Sequence, residues 1–225
     1  MKRRILSEEV YECLMKMILS MELKPSEKIP EEKIAKQFGC SRAPIREAMK
    51  RLAHEGIITI YPNRYAEIAN YSSDLIEHIG IVRVFHDIMA VKLALLHGSK
   101  MNFLEMKNLA DECHEATKNN NYEQRINKDC EFHMELIKIG RNQQLLKFEN
   151  ELFTRIKFIQ AIQYVDLISP QEQLKEHYDI VELLIERDEK QVLELVVKHG
   201  SRFHGLSEKY PLSFFLEVSN LHSSL

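Results

Sequence analysis

Over the first 70 residues the apolar positions form three helical stripes and then two strand-like runs. Val10, Leu14, Met17, Ile18 and Met21 recur near a 3.6-residue period and predict a helix over Ser7–Met21, ended by Pro25. Ile34, Ala35 and Phe38 share one face of a shorter helix over Pro30–Phe38, and Gly39 stands where a left-handed residue closes it. A third helix is predicted over Arg42–His54, with Ser41 as its N-cap, Pro44 in its first turn and Gly56 beyond its end. Ile57–Tyr61 and Tyr65–Ala69 flank Pro62-Asn63-Arg64 and read as a small hairpin.

Helix, helix–turn–helix and a two-stranded wing is the layout of a winged helix-turn-helix, whose third helix enters the DNA major groove. That helix divides its faces accordingly. Ile45, Ala48, Met49 and Leu52 point inward, while Arg42, Arg46 and Lys50 recur at i, i+4 and i+8 on another side. Arginine suits bidentate contact with guanine or phosphate. Such a stripe alone also fits a solvated surface helix; the wing and the Gly39-Cys40-Ser41 turn favour DNA.

After the polar connector Asn70-Tyr71-Ser72-Ser73 the pattern is helical to the end. Asp74 and Glu77 have capping-box spacing and open a helix through Leu96, with further helices expected at about 101–119, 122–140, 142–165, 170–187 and 188–209. Each must bury its apolar stripe against the others, which predicts an all-α bundle. Pro211 to Leu225 carries Phe214, Phe215 and Leu216 and reads either as a docked helix or as a frayed tail. The expected fold class is mainly α. It comprises a winged helix-turn-helix at 1–69, a linker at 70–73, a helical bundle at 74–209 and a tail at 210–225.

Composition narrows the alternatives. Only 7 glycines and 6 prolines occur, which disfavours turn-rich β folds and long flexible linkers. The longest apolar stretch, Ile88 to Leu96, is short and contains Lys92; Ser7, Glu8, Glu9 and Glu12 interrupt any signal-peptide core. A cytoplasmic protein with no membrane association is expected. Cys13, Cys40, Cys113 and Cys130 lack a C-x-x-C spacing and read as reduced, mostly buried thiols. The net charge of −3 is unevenly spread: residues 1–72 hold 13 Lys/Arg against 10 Asp/Glu, and the remainder 18 against 24. A basic first part suits a polyanionic partner.

The run Lys24-Pro25-Ser26-Glu27-Lys28-Ile29 with Glu31, then Ile34-Ala35-Lys36-Gln37-Phe38-Gly39-Cys40-Ser41-Arg42-Ala43-Pro44-Ile45-Arg46-Glu47-Ala48-Met49, resembles the DNA-binding signature of GntR-family bacterial transcriptional regulators. The likeness extends over roughly residues 7–69. It implies that Ser41, Arg42 and Arg46 contact double-stranded DNA, with Lys50 on the same helix and Arg64 at the wing as further candidates. Two positions depart from the family: its usual Pro-Gly is Pro25-Ser26 here, and the wing-tip glycine is replaced by Tyr65 after Asn63-Arg64.

Histidines carry the remaining chemistry. Asp129 and His133 lie at i and i+4, His177 follows Glu176, and His199 sits 22 residues further on. Three imidazoles and a carboxylate from three helices suit a divalent metal ion: zinc foremost, or nickel, iron or manganese. Spacing alone also admits unrelated histidines, since the chain has ten. The pattern Asp-x-x-Phe-His, then Glu-His, then His is similar to the FCD effector domain of the FadR subfamily, over about residues 74–206. That resemblance implies a metal bound by Asp129, His133, His177 and His199, with a small carboxylate effector completing its coordination. Arg83 matches the family's arginine, and His86-Asp87 replaces a usual Leu-Glu, so His86 adds to or alters the effector pocket.

The function implied is a ligand-responsive regulator, with repression the expected mode, acting as a homodimer on a pseudo-palindromic operator. Two other readings stand beside it: an acyl-CoA sensor without metal, and a metal-dependent enzyme, disfavoured because no general base accompanies the ligand motif. No role is assigned to His78, His97, His114, His204 or His222; His54 is placed to cap its own helix.

Overall fold

The first α-helix is longer and ends earlier than its apolar stripe suggests. In a computed structural model, which describes residues 2–163 and 170–217, α1 spans Lys2–Leu19. Met21 turns left-handed at φ +58°, and the Leu23 N–H returns to the Met17 carbonyl at 3.0 Å. The helix is thus stopped by its own C-terminal turn, upstream of Pro25. There follow α2 (Glu31–Gln37), α3 (Arg42–His54), β1 (Ile58–Tyr61) and β2 (Tyr65–Ile68). Ser41 occupies the N-cap position of α3, but its hydroxyl makes no capping hydrogen bond.

β1 and β2 pair antiparallel, with Tyr61 opposite Tyr65. Asn63 takes the left-handed position of the turn at φ +58°, which asparagine tolerates better than most residues. Ser26, standing where the family has glycine, is also left-handed at φ +66°. Its N–H donates to Ile68 O, Ile68 N–H to Glu27 O and Ile29 N–H to Ala66 O, each at 2.9 Å. Residues 26–29 thus line the free edge of β2, a pairing that alternation did not reveal.

The second part contains α4 (Ser73–His97), α5 (Lys100–Lys118), α6 (Tyr122–Ile139), α7 (Gln143–Gln163), α8 (Pro170–Glu186), α9 (Glu189–Phe203) and α10 (Leu212–Leu216). The expected capping box is replaced by a cap two residues earlier. Ser72 Oγ accepts from Leu75 N at 3.2 Å, while Glu77 accepts from Lys209 Nζ at 2.6 Å and Tyr210 Oη at 2.7 Å. Glu77 therefore ties α4 to the segment after α9. That helix ends at Phe203 because Gly205 turns left-handed at φ +67° and Leu206 N–H reaches Ser201 O. Residues 212–216 form a docked helix, with Phe215 buried and 5.4 Å from Phe85 of α4 between ring centroids. The end of the expected 142–165 helix, the tail after Glu217 and His222 lie outside the described residues.

α4 packs on α6, α7 and α9, and α5 on α6 and α8. A close approach is built into α4: a Cβ on Gly80 would lie 2.4 Å from that of His204. The apolar core of the N-terminal part does not stop at its boundary. Ile126, Phe158 and Ala161 of α6 and α7 belong to the same buried cluster as Leu14, Ile18, Ile45 and Leu52. No described helix is long and apolar enough to cross a membrane.

Candidate functional site

Two separate constellations emerge, one on the outside of the N-terminal part and one inside the bundle. A groove between α2, α3 and the wing is lined by Arg42, Arg46, Lys50 and Arg64, with Lys33 and Lys36 from α2. Ile45, Ala48, Met49 and Leu52 are buried beneath, so packing fixes which face of α3 points outward. The side chains of Arg42 and Arg46 are 56% and 64% exposed, and Ser41, Lys50 and Arg64 are exposed as well. Arg42 Nη2 meets Glu32 at 2.5 Å and Arg46 Nε meets Glu31 at 3.7 Å, so each arginine already holds a carboxylate from the first turn of α2. The C-terminal carbonyl of Glu55 is taken by Arg155 of α7 at 3.0 Å, a role sequence reading had offered to the exposed His54.

Inside the bundle, α6 supplies His133 and Asp129, α8 supplies His177 and α9 supplies His199. The three imidazoles each offer a nitrogen within 4.8 Å of the others. His199 Nε2 and His133 Nε2 face each other at 3.3 Å, and Asp129 Oδ1 lies 3.4 Å from His177 Nε2. All four residues are buried. Neighbours orient them: Glu176 Oε2 lies 2.8 Å from His199 Nδ1, and Asp87 Oδ1 3.4 Å from His133 Nδ1. Gln160 and Gln173 both donate to the Asp129 carboxylate. Carboxylates behind imidazoles and amides behind a carboxylate are the usual outer shell of a metal site.

The electrostatics fit a cation. Burial holds His177 well below the usual imidazole range, leaving it neutral with a lone pair to give. Burial opposes the charge on Asp129, yet the surrounding imidazoles of His177, His133 and His199, with Arg125, bring its carboxyl down to about 2. Both ring nitrogens of His177 are buried without a hydrogen-bond partner. An unsatisfied buried polar group costs about 1–3 kcal/mol, and coordination removes that cost.

Arg83 and His86 sit beside this cluster on α4. Arg83 is buried and pairs with Asp87 at 3.1 Å and with Glu149 of α7; His86 Nδ1 meets Glu149 Oε2 at 2.9 Å. Glu149 is fully buried, and sequence reading missed it because its helix gives no local sign that this one position faces α4. Gln160 and Gln173 were missed for the same reason, and Glu176 was read only as the residue before His177, not as the partner of His199.

Residues 6–67 match the bacterial regulatory protein family gntR, and residues 82–202 match the FCD domain. The chain belongs to the GntR family. Among its relatives, the Nta operon transcriptional regulator of Aminobacter aminovorans is 30% identical over 81% of this chain and 85% of that protein. McbR of Escherichia coli is 25% identical over 72% and 73%, respectively. The same fold occurs in the solved E. coli McbR/YncC, with TM-score 0.72, 21% identity and 87% of this chain and 93% of that one covered. A GntR regulator from Rhodococcus sp. RHA1 has TM-score 0.74, 16% identity and coverage of 91% and 98%. This GntR protein is therefore a DNA-binding transcriptional regulator of the FCD type.

Proposed function

We propose that this regulator senses a small carboxylic acid through a divalent metal ion in its bundle and represses transcription as a cytoplasmic homodimer. The observation that carries the reading is the convergence of His133, His177 and His199 beside Asp129, with neither nitrogen of His177 making a hydrogen bond. Zinc suits this nitrogen-rich set best, with nickel, iron or manganese as alternatives. The ion would supply a Lewis-acidic point for an effector carboxylate. In this division, residues 1–69 bind DNA, 74–209 sense and dimerise, and 70–73 join the two.

Ser41, Arg42, Arg46, Lys50 and Arg64 are the proposed DNA contacts, on a pseudo-palindromic operator whose symmetry mirrors the dimer. Arg83 and His86 are the proposed effector contacts. Both are held by Glu149, so effector binding exchanges an internal carboxylate for an external one. Glu149 and Arg155 share α7, which gives that exchange a route to the end of α3. The homodimer is supported by Val82, Phe85 and Met89 of α4, which leave apolar surface exposed together with Phe214. Repression is supported by the transcriptional repressor RspR of E. coli, 21% identical over 86% of this chain and 85% of that protein.

Elemental analysis of the purified chain tests the metal part. About one equivalent of metal is expected, falling sharply in His177→Ala and His133→Ala. Full occupancy in both variants overturns the assignment.

A further inference from the structure

The buried cysteine of α5 belongs to a second donor group that shares His177 with the imidazole cluster. Cys113 Sγ, a carboxylate oxygen of Asp129 and a ring nitrogen of His177 all lie within 4.8 Å of one another. These donors come from α5, α6 and α8, whereas the imidazole set comes from α6, α8 and α9. His177 belongs to both sets, and neither of its nitrogens has a hydrogen-bond partner. A buried histidine shared by two donor groups and hydrogen-bonded by neither is placed to ligate.

We propose that Cys113 is a sulfur ligand of the metal centre, acting with Asp129 and His177, and that it makes the site selective for thiophilic ions such as zinc or cobalt(II) over manganese and magnesium. This rests on the metal-centre reading above and adds to its donor set. Thiolate donors favour zinc-like ions, while carboxylate- and water-rich sites favour manganese and magnesium. A zinc–sulfur bond is about 2.3 Å, so donors that lie within 4.8 Å of one another draw closer when they share an ion.

Without an ion, the thiol stays protonated. Burial pushes its pKa up and the Asp129 charge pushes it further, while Sγ donates to the Arg125 carbonyl at 3.7 Å. Ligation therefore releases one proton to solvent as the S–H bond is replaced by a metal–sulfur bond. The ordinary alternative is a packing role, since Cys113 continues the buried face of Phe103, Met106, Ala110 and Ala116. Packing accounts for its burial but not for its place within 4.8 Å of both a buried carboxylate oxygen and a buried ring nitrogen.

The test loads the reduced full-length chain with cobalt(II) and records its absorption spectrum. A sulfur-to-cobalt charge-transfer band in the near ultraviolet is expected in the unaltered protein and in Cys130→Ser. In Cys113→Ser the band disappears while cobalt still binds, on the order of tenfold or more weaker. Cys113→Ala provides a second variant should serine disturb the core. Cobalt bound to the unaltered chain with no such band overturns the role of Cys113 and leaves the imidazole centre standing. Failure to bind cobalt, zinc or nickel at all overturns both.

Discussion

Arg155 Nε donates to the main-chain carbonyl of Glu55 at 3.0 Å, so a bundle helix holds the residue that ends α3, 100 positions earlier in the chain. Next to it, Tyr71 Oη donates to the Gly56 carbonyl at 3.0 Å, and the Tyr71 ring stands edge-on to Phe158 of α7. The carbonyls just past the end of α3 are therefore held by α7 and by the connector that precedes α4. Arg155→Leu removes a charged donor from a half-buried acceptor. It is expected to lower stability by about 1–3 kcal/mol in urea unfolding and to blunt the effect of metal on operator binding. A variant with unaltered metal response would show that this contact is structural only.

Arg42 and Arg46, the proposed DNA contacts, each meet a glutamate of α2 and would have to leave it to bind a phosphate or base. Arg46→Ala is expected to lose about 1–3 kcal/mol of operator affinity, and Glu32→Gln to gain affinity by a few-fold, because the internal competitor of Arg42 is gone. Operator titrations across a salt series check both. The affinity of the unaltered protein should fall steeply with salt, and Arg46→Ala should reduce that slope.

Ser26 carries a side chain in a left-handed conformation, at a cost of roughly 1–2 kcal/mol relative to an unstrained backbone. Ser26→Gly relieves it, against the extra unfolded-state entropy of glycine. The net expectation is a gain of up to about 1 kcal/mol, read as a raised urea midpoint. A lowered midpoint would show that the serine hydroxyl contributes more than the strain it imposes.

His204 is buried and its pKa is lowered to about 3, chiefly by burial and by the nearby Arg83 charge. His177 is likewise held well below its ordinary value by burial. Both titrate near 6.5 in the unfolded chain, so below that pH the unfolded state binds more protons. Stability is present in full above about pH 6.5 and is lost as pH falls towards the folded values. Between pH 7 and pH 5 the metal-free chain is expected to lose up to about 2 kcal/mol per buried histidine. Asp129, lowered to about 2, adds a loss in the same direction below about pH 4. Urea midpoints at pH 7 and pH 5 measure the effect, and His204→Gln should reduce it.

The helices were legible because each buries a stripe whose period survives in the sequence, and the DNA-facing arginines because the same short helix carries both its core and its outward face. The imidazole pattern was legible residue by residue, through likeness to the FCD motif. Errors came where local competition decided the outcome. Ser72 capped α4 in place of Asp74, and Glu77 was drawn to Lys209 and Tyr210. Glu149 and Arg155 were invisible because one turn of an amphipathic helix resembles another until its neighbours are known.

By itself the sequence determined the mainly helical architecture, the outward cationic face of α3 and the identities of the candidate metal donors, since periodicity and side-chain chemistry are local properties. Only tertiary structure decided that α6, α8 and α9 bring His133, His177 and His199 together. It also decided that α7 bridges Arg83 and His86 at one end and Glu55 at the other, and that Cys113 approaches from a fourth helix. Those relationships depend on how buried helices cross, and packing across tens of residues leaves no mark on the spacing within any one of them.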